Sequence, residues 1–203
     1  MYRCGQNTSL RQVCLVDVTD ITLMPKPIEI ASPRLRLLAL NAELASLQLD
    51  DRAAFFRVLG AEPEPTWPPE LMDQQAMEWN RDQLSARPSD TGWYAWVYIS
   101  PVMNRLLGVG GFKGGPDRDG VIEIGYSMLI SYREQGLATE GVMALLDWAY
   151  SHAQVKSVIA KTRDDRDASH RVLEKAGFIQ GEIRRNHGVE VIAWHHRPDR
   201  HAA

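Results

Sequence analysis

Only two of the 203 residues are cysteine, Cys4 and Cys14, both near the N-terminus. No Cys-x-x-Cys spacing occurs, which excludes a zinc ribbon and a thioredoxin-type site, and two thiols cannot build a disulfide framework. A Cys4–Cys14 bridge is possible on paper; two surplus thiols in a cytosolic protein is the simpler reading. Long apolar runs are missing too. None approaches the roughly 18–20 residues that span a bilayer, and Asp17 and Asp20 interrupt what would have to be a signal-peptide core. These absences predict a cytoplasmic protein without a membrane partner. Excess positive charge is also lacking: 23 Lys and Arg face 26 Asp and Glu, a formal net charge of −3. A protein that coats nucleic acid is normally basic, so no nucleic-acid partner is expected, although a local basic site for a phosphorylated ligand is compatible with this total. Internal repeats and low-complexity tracts are absent. What remains, 44% hydrophobic and 24% charged residues, suits one globular domain.

Residues 1–32 carry no helical period and end in Pro25 and Pro27; they read as an extension of unassigned role, with Val13, Leu15 and Ile21 as a candidate strand. From Pro33 the pattern sharpens. Residues 34–40 read as a strand. Leu44, Leu47, Phe55, Val58 and Leu59 predict an amphipathic helix over 42–59, stopped by Gly60. The Pro-rich stretch 62–69 excludes regular structure, and a second helix is expected from about Glu70 to Leu84, with a loop at Arg87–Thr91. Strands follow at 93–100, 106–113 and 121–129, separated by turn signals, which predicts an antiparallel meander. Seven of the fifteen glycines fall between positions 108 and 125, yet the Gly-x-Gly-Gly at 108–111 lacks the following helix of a phosphate loop. Ala138, Val142, Leu145, Leu146 and Ala149 share a helical face. Residues 155–161 read as a strand and Ala168, Val172 and Ala176 as a short helix, ended by a left-handed Gly177. Two last strands, 178–183 and 189–194, flank Asn186–His187–Gly188.

The chemically informative stretch is EIGYSMLISYREQGLATEG, residues 123–141. A strand runs into Arg133-Glu-Gln-Gly136-Leu-Ala138 and a helix begins at once. The first turn of a helix presents unpaired N–H groups and a partial positive charge. Small residues at 136 and 138 let a ligand approach that backbone, an arrangement suited to a pyrophosphate. A plain strand-to-helix turn is the simpler alternative for this stretch taken alone. One strand later comes SHRVLEKAGF, residues 169–178.

With both motifs present in order, the sequence resembles the GNAT superfamily of acyl-CoA-dependent N-acetyltransferases, whose signature is Arg/Gln-x-x-Gly-x-Gly/Ala opening a helix. Within it, the two stretches resemble the RimJ/RimL-like ribosomal-protein N-terminal-alanine acetyltransferases. The resemblance covers roughly Pro33 to Arg197, so residues 33–197 are expected to form the acetyltransferase domain and 198–203 a tail. It implies an α/β (α+β) fold: a mixed, mostly antiparallel sheet, splayed in its middle, with helices on both faces. It also implies acetyl-CoA as co-substrate and a primary amine as acceptor, either a protein N-terminus or a small molecule. The pantetheine arm would pair with backbone at Met128, Leu129 and Ile130. Amides of Glu134, Gln135, Gly136, Leu137, Ala138 and Thr139 would hold the pyrophosphate, with Arg133 supplying charge. Two positions depart from the pattern. Glu134 stands where the family often has Gly, and Arg166 where it usually has an Asn that contacts the pantetheine; Arg166 is expected to reach a phosphate instead. A homodimer is compatible with this reading.

Acetyl transfer to an amine needs a base, because the amine must be neutral. Glu123 shares a strand face with Gly125, Ser127 and Leu129, and it aligns with the strand glutamate that acts as base in the histone-acetylating branch. A solvated or arginine-paired structural carboxylate is the alternative. Ser169 aligns with a serine proposed as the acid in the RimL-like branch, with Tyr126 as another donor. A covalent acyl-enzyme is not expected, since both cysteines lie outside the matched region. His195 and His196 face opposite ways on a strand and make a poor metal pair, so no metal is expected. Four of six tryptophans lie between 67 and 96. They read as core, or, for Trp67 and Trp79, as lining of an acceptor pocket. Arg184 and Arg185 read as a solvated pair or as contacts for an acidic acceptor. A rival of another class is an acyl-CoA-binding sensor without turnover, for which Glu134 and Arg166 are the arguments.

Overall fold

A computed structural model describes residues 27–186 and 189–198. Both cysteines, the candidate strand at 13–21, the His187–Gly188 turn and residues 199–203 lie outside that range. In chain order the elements are β1 (Glu29–Ala31), β2 (Arg36–Ala39), α1 (Ala42–Asp50), α2 (Arg52–Leu59), α3 (Gln74–Ala86), β3 (Ala95–Ser100), β4 (Arg105–Phe112), β5 (Val121–Met128), α4 (Leu137–Tyr150), β6 (Ser157–Arg163), α5 (Asp167–Lys175), β7 (Ile179–Asn186) and β8 (Val189–His196). Eight strands form one sheet in the order β1-β2-β3-β4-β5-β6-β8-β7. Every neighbouring pair is antiparallel except β5 and β6. The expected mixed, mostly antiparallel α/β sheet is present, with the meander β3-β4-β5 at its centre.

Several boundaries differ from expectation for local reasons. The helix expected over 42–59 is two helices, because Asp51 leaves helical geometry and its carboxylate accepts the Ala54 amide at 2.9 Å, starting α2 afresh. The helix expected from Glu70 begins only at Gln74, where the Asp73 side chain caps the Ala76 amide at 2.8 Å. Glu70 is thereby left in irregular chain. The segment 1–32, read as an extension, contributes β1, which pairs with β2 from Glu29↔Leu38 to Ala31↔Arg36. Three residues between prolines and Ser32 carry no two-residue period long enough to read.

Each face of the sheet has its own core. On one, Trp96, Tyr98, Ile122, Ile124 and Met128 pack against Val142, Leu145 and Ala149 of α4 and Leu173 of α5. On the other, Val97, Ile99, Leu106 and Val109 meet Leu44 of α1, Phe55 and Phe56 of α2 and Leu84 of α3. Alternation along β3 thus feeds two layers, which is why its six residues are all buried. Trp67 joins the second core beside Phe55 and Phe56 and is 3% exposed. Of the two tryptophans considered for an acceptor pocket, it is therefore the one that serves packing.

The parallel pair is short. β5 and β6 are matched from Val121↔Ser157 to Ile124↔Ala160 and then part, although β5 continues to Met128 and β6 to Arg163. Beyond the parting, β6 stays paired to β8 as far as Arg163↔Val191, and β5 to β4 as far as Met128. The sheet is therefore split in its middle, as the resemblance implies.

Candidate active site

The split opens a cleft of about 1030 Å³ that reaches both faces of the sheet. Trp79, Asn80, Tyr94, Lys113 and Glu123 line it on the side of α3; Gly136 to Thr139, Ala168, Ser169 and Val172 line it on the side of α4 and α5. From Gly125 onward no strand lies along the edge of β5 that faces β6. A Cβ at Gly125 would have nothing within 4 Å, so the sheet face over this residue is open.

The expected pyrophosphate turn has the geometry its sequence suggests. Gly136 is the N-cap of α4 at φ +75°, and no side chain caps the helix. The first amides of α4 are thus left for a ligand. Arg34 braces the turn by donating to the Gln135 carbonyl at 2.8 Å, and it pairs with Glu140 of α4 at 2.7 Å. Glu140 also accepts from the Ser32 hydroxyl and the Arg34 amide, each at 2.7 Å. Burial would push its carboxyl up, but these bonds and the Arg34 charge hold it below its ordinary value. Glu134 is exposed and sits at φ +60°, in the left-handed region where glycine is the easy residue.

The backbone expected to meet the pantetheine is largely engaged within the chain. The Met128 carbonyl accepts from Arg133 Nε at 3.1 Å, the Leu129 amide donates to the Leu107 carbonyl, and the Leu129 and Ile130 carbonyls accept from the Tyr132 and Arg133 amides. The free edge is one strand turn earlier, at Gly125 to Ser127. Arg133 and Arg166, from opposite banks of the cleft, share a single carboxylate. Glu70 Oε2 lies 3.2 Å from Arg133 and Oε1 lies 3.3 Å from Arg166. Hydrogen bonds from Arg133 and Arg166, with their charges, hold the Glu70 carboxyl below its ordinary value.

Glu123 is on the wall of the cleft, its side chain 14% exposed, and both oxygens are taken. Lys113 donates to Oε1, and Lys161 donates to Oε2 at 2.6 Å. Burial raises the pKa of this carboxyl, but the two lysines outweigh that and hold it low. The alternative for Glu123 is a solvated or arginine-paired structural carboxylate; it is paired, with lysines in place of an arginine. Ser169 lines the opposite bank, and among the described residues its hydroxyl has no partner. Its carbonyl accepts from the Tyr126 hydroxyl at 2.9 Å. Burial pushes the Tyr126 hydroxyl well above its usual range, so it stays protonated. Glu70, Lys113 and Lys161 escaped the sequence analysis. Alternation places Lys161 on the Glu123 face once the β5–β6 register is known, whereas Glu70, in irregular chain, carries no such signal.

Among the described residues no group of three or more His, Cys, Asp or Glu is placed to hold a metal, and no helix is long and apolar enough to cross a membrane.

A sheet split at its one parallel pair, with an uncapped helix N-terminus beside the split, defines a class of acyl-transfer proteins. The chain belongs to the GNAT acetyltransferase family, whose domain model matches residues 42–179, and it is an N-acetyltransferase. It is 30% identical over 146 residues to YjdG of Bacillus subtilis, described as an uncharacterized N-acetyltransferase, covering 72% of this chain and 86% of that protein. A ribosomal-protein alanine acetyltransferase from Vibrio fischeri has the same fold, with a TM-score of 0.61 at 13% identity, over 85% of this chain and 98% of that one. The ribosomal α-N-protein acetyltransferase RimL in complex with coenzyme A matches with a TM-score of 0.56 at 19% identity, over 84% and 98%.

Proposed function

We propose that this chain transfers the acetyl group of acetyl-CoA directly to a primary amine. The observation that carries the reading is the through-sheet cleft at the β5–β6 parting, with an uncapped glycine-started helix on one side and a carboxylate on the other. The residues fit the co-substrate. Amides at the start of α4 would take the pyrophosphate, Arg133 and Arg166 would balance its charge, and the free edge at Gly125 to Ser127 would pair with the pantetheine arm. Acetyl-CoA brings an activated acyl group; the remaining chemistry belongs to this chain.

Glu123 is the proposed base. It is ionised throughout the neutral range, and an acceptor ammonium must displace one of its two lysines to reach it. Ser169 is the proposed donor to the departing thiolate, because its hydroxyl is free and lines the cleft. Tyr126 is a weaker candidate, since its proton is committed to the Ser169 carbonyl. Trp79, 40% exposed and edge-on to Tyr94 at 5.5 Å, gives the acceptor side an aromatic wall. It suits an amine attached to an apolar group, or a peptide N-terminus.

The test is a thiol-release assay with acetyl-CoA and a panel of amines and N-terminal peptides, run on the full chain and on Glu123→Gln. Loss of the base should lower kcat by at least about a hundredfold near neutral pH, with acetyl-CoA affinity little changed. The part of kcat owed to Glu123 should be lost only below the ordinary carboxylate range, about pH 4.3, because the Glu123 pKa is lowered. A variant with near wild-type kcat, chemistry being rate-limiting, removes Glu123 from the mechanism.

A further inference from the structure

The Glu123–Lys161 contact is unusual for its place. β6 leaves β5 after Ala160, so Lys161 is the first residue past the parting. In the parallel register its position falls across from Gly125, on the same face as Glu123. Its side chain is half exposed and lines the cleft. The Nζ atom is 2.6 Å from Glu123 Oε2, and the space over Gly125 is open. A primary amine, hydrogen-bonded to the carboxylate proposed as base, at the mouth of the split, is the arrangement an acceptor must adopt there.

Resting on the acetyl-CoA reading above, we propose that Lys161 is a self-acetylation site, modified within its own chain. The Lys161 Nζ–carbonyl carbon bond forms and the carbon–sulfur bond of the thioester breaks. The ammonium gives up two protons in all. One passes to Glu123 and on to solvent; the other ends on the coenzyme A thiolate. Nothing is oxidised or reduced. Lys113 meets the same carboxylate from the other side. It follows β4, which stays paired to β5, and its amide donates to the Glu123 carbonyl. Its backbone is thus held in the paired part of the sheet, whereas Lys161 lies past the parting, and Lys161 is the residue proposed to be modified.

The modification changes the site. An acetylated Lys161 has no positive charge to hold Glu123 down, while the burial that raises the pKa of this carboxyl remains. Glu123 becomes a stronger base and loses one competitor for its oxygens. Self-acetylation would thus prime the cleft for a free amine.

The experiment incubates the full chain with acetyl-CoA and no amine, then maps acetyl groups by peptide mass spectrometry, with acetyl-CoA binding measured in parallel by calorimetry. The expected result is one acetyl group per chain, on Lys161. Its rate should be unchanged on dilution of the protein, faster as pH rises, and slowed at least about tenfold in Glu123→Gln. Lys156→Arg, outside the cleft lining, should keep the modification and Lys161→Arg lose it. Binding without acetylation of Lys161 overturns the self-acetylation and leaves the transferase reading standing. Acetylation of Lys156, which does not line the cleft, at a rate similar to Lys161 also overturns it, as chemical modification by the thioester. Absence of binding overturns both readings.

Discussion

Gly136 shows how much a single residue can carry in this cleft. At φ +75° it turns the chain from the 3₁₀ turn at Ile130–Tyr132 into α4, and the lack of a side chain leaves the first amides of the helix bare. A Cβ there would meet only Arg34 Nη2, at 3.4 Å, so the constraint is conformational more than spatial. Valine at this φ is strained by about 1–3 kcal/mol and brings bulk to the anion site. Gly136→Val should therefore weaken acetyl-CoA binding by more than about tenfold, or 1.4 kcal/mol, and lower Tm modestly. Calorimetry with wild-type affinity in the variant would remove the pyrophosphate assignment. Glu134 is the opposite case: a side chain where the backbone favours glycine, and a negative charge beside the turn proposed to hold the pyrophosphate. Its exposure lets the carboxylate turn to solvent, which accounts for how this turn tolerates it.

Among the elements, the irregular chain before α3 has the most direct link to binding. Glu70 bridges Arg133, on the β5–α4 connection, to Arg166, the N-cap residue of α5. Its carboxylate occupies the arginines that a phosphate would use. Glu70→Gln should raise acetyl-CoA affinity a few-fold, and the gain should shrink at high salt, as expected of exposed charges. Unchanged affinity across a salt series would show that the bridge does not compete with the ligand. The pH sign agrees. The folded-state pKa of Glu70 is lowered, so the bridge persists above the ordinary carboxylate range and is lost as pH falls through the lowered value. A weakening of cofactor binding below that range would then reflect other groups than this bridge.

For the whole molecule, β1 decides where the domain starts. Ile28 and Ile30 pack against the α4-side core, and the Ile28 carbonyl accepts the Ala39 amide at 2.9 Å. Ser32 and Arg34 then hold Glu140 of α4. A chain begun at Pro33 keeps Arg34 but lacks the contacts of Ile28, Ile30 and Ser32 and leaves β2 as a bare edge. Against a chain begun at Pro27, six residues longer, it should melt several degrees lower, while acetyl-CoA binding should change less, since the Arg34 brace on Gln135 is retained in both. Equal melting would show that β1 adds nothing to the domain expected from residue 33.

Local pattern was enough to read the meander, the buried face of α4, the left-handed Gly177 and the glycine-started turn, because each depends on residues close together in sequence. The φ of +85° at Gly177 and +75° at Gly136 follow from short-range sterics alone. The break at Asp51 was hidden because one capping carboxylate weighs little against a helical period. Glu123 could be placed on a face, but its environment could not be read. Lys113 and Lys161 reach it from β4 and β6, ten and thirty-eight residues away, and only the register of three strands brings them together. Glu70 lies further from both its partners along the chain, on a segment without period, and only the docking of α3 against the split sets it between two arginines. The sequence by itself determined the backbone geometry of the glycine-started turn at Gly136. Which charges surround it was decided by tertiary structure, because charge interactions depend on distance through space and are indifferent to separation along the chain.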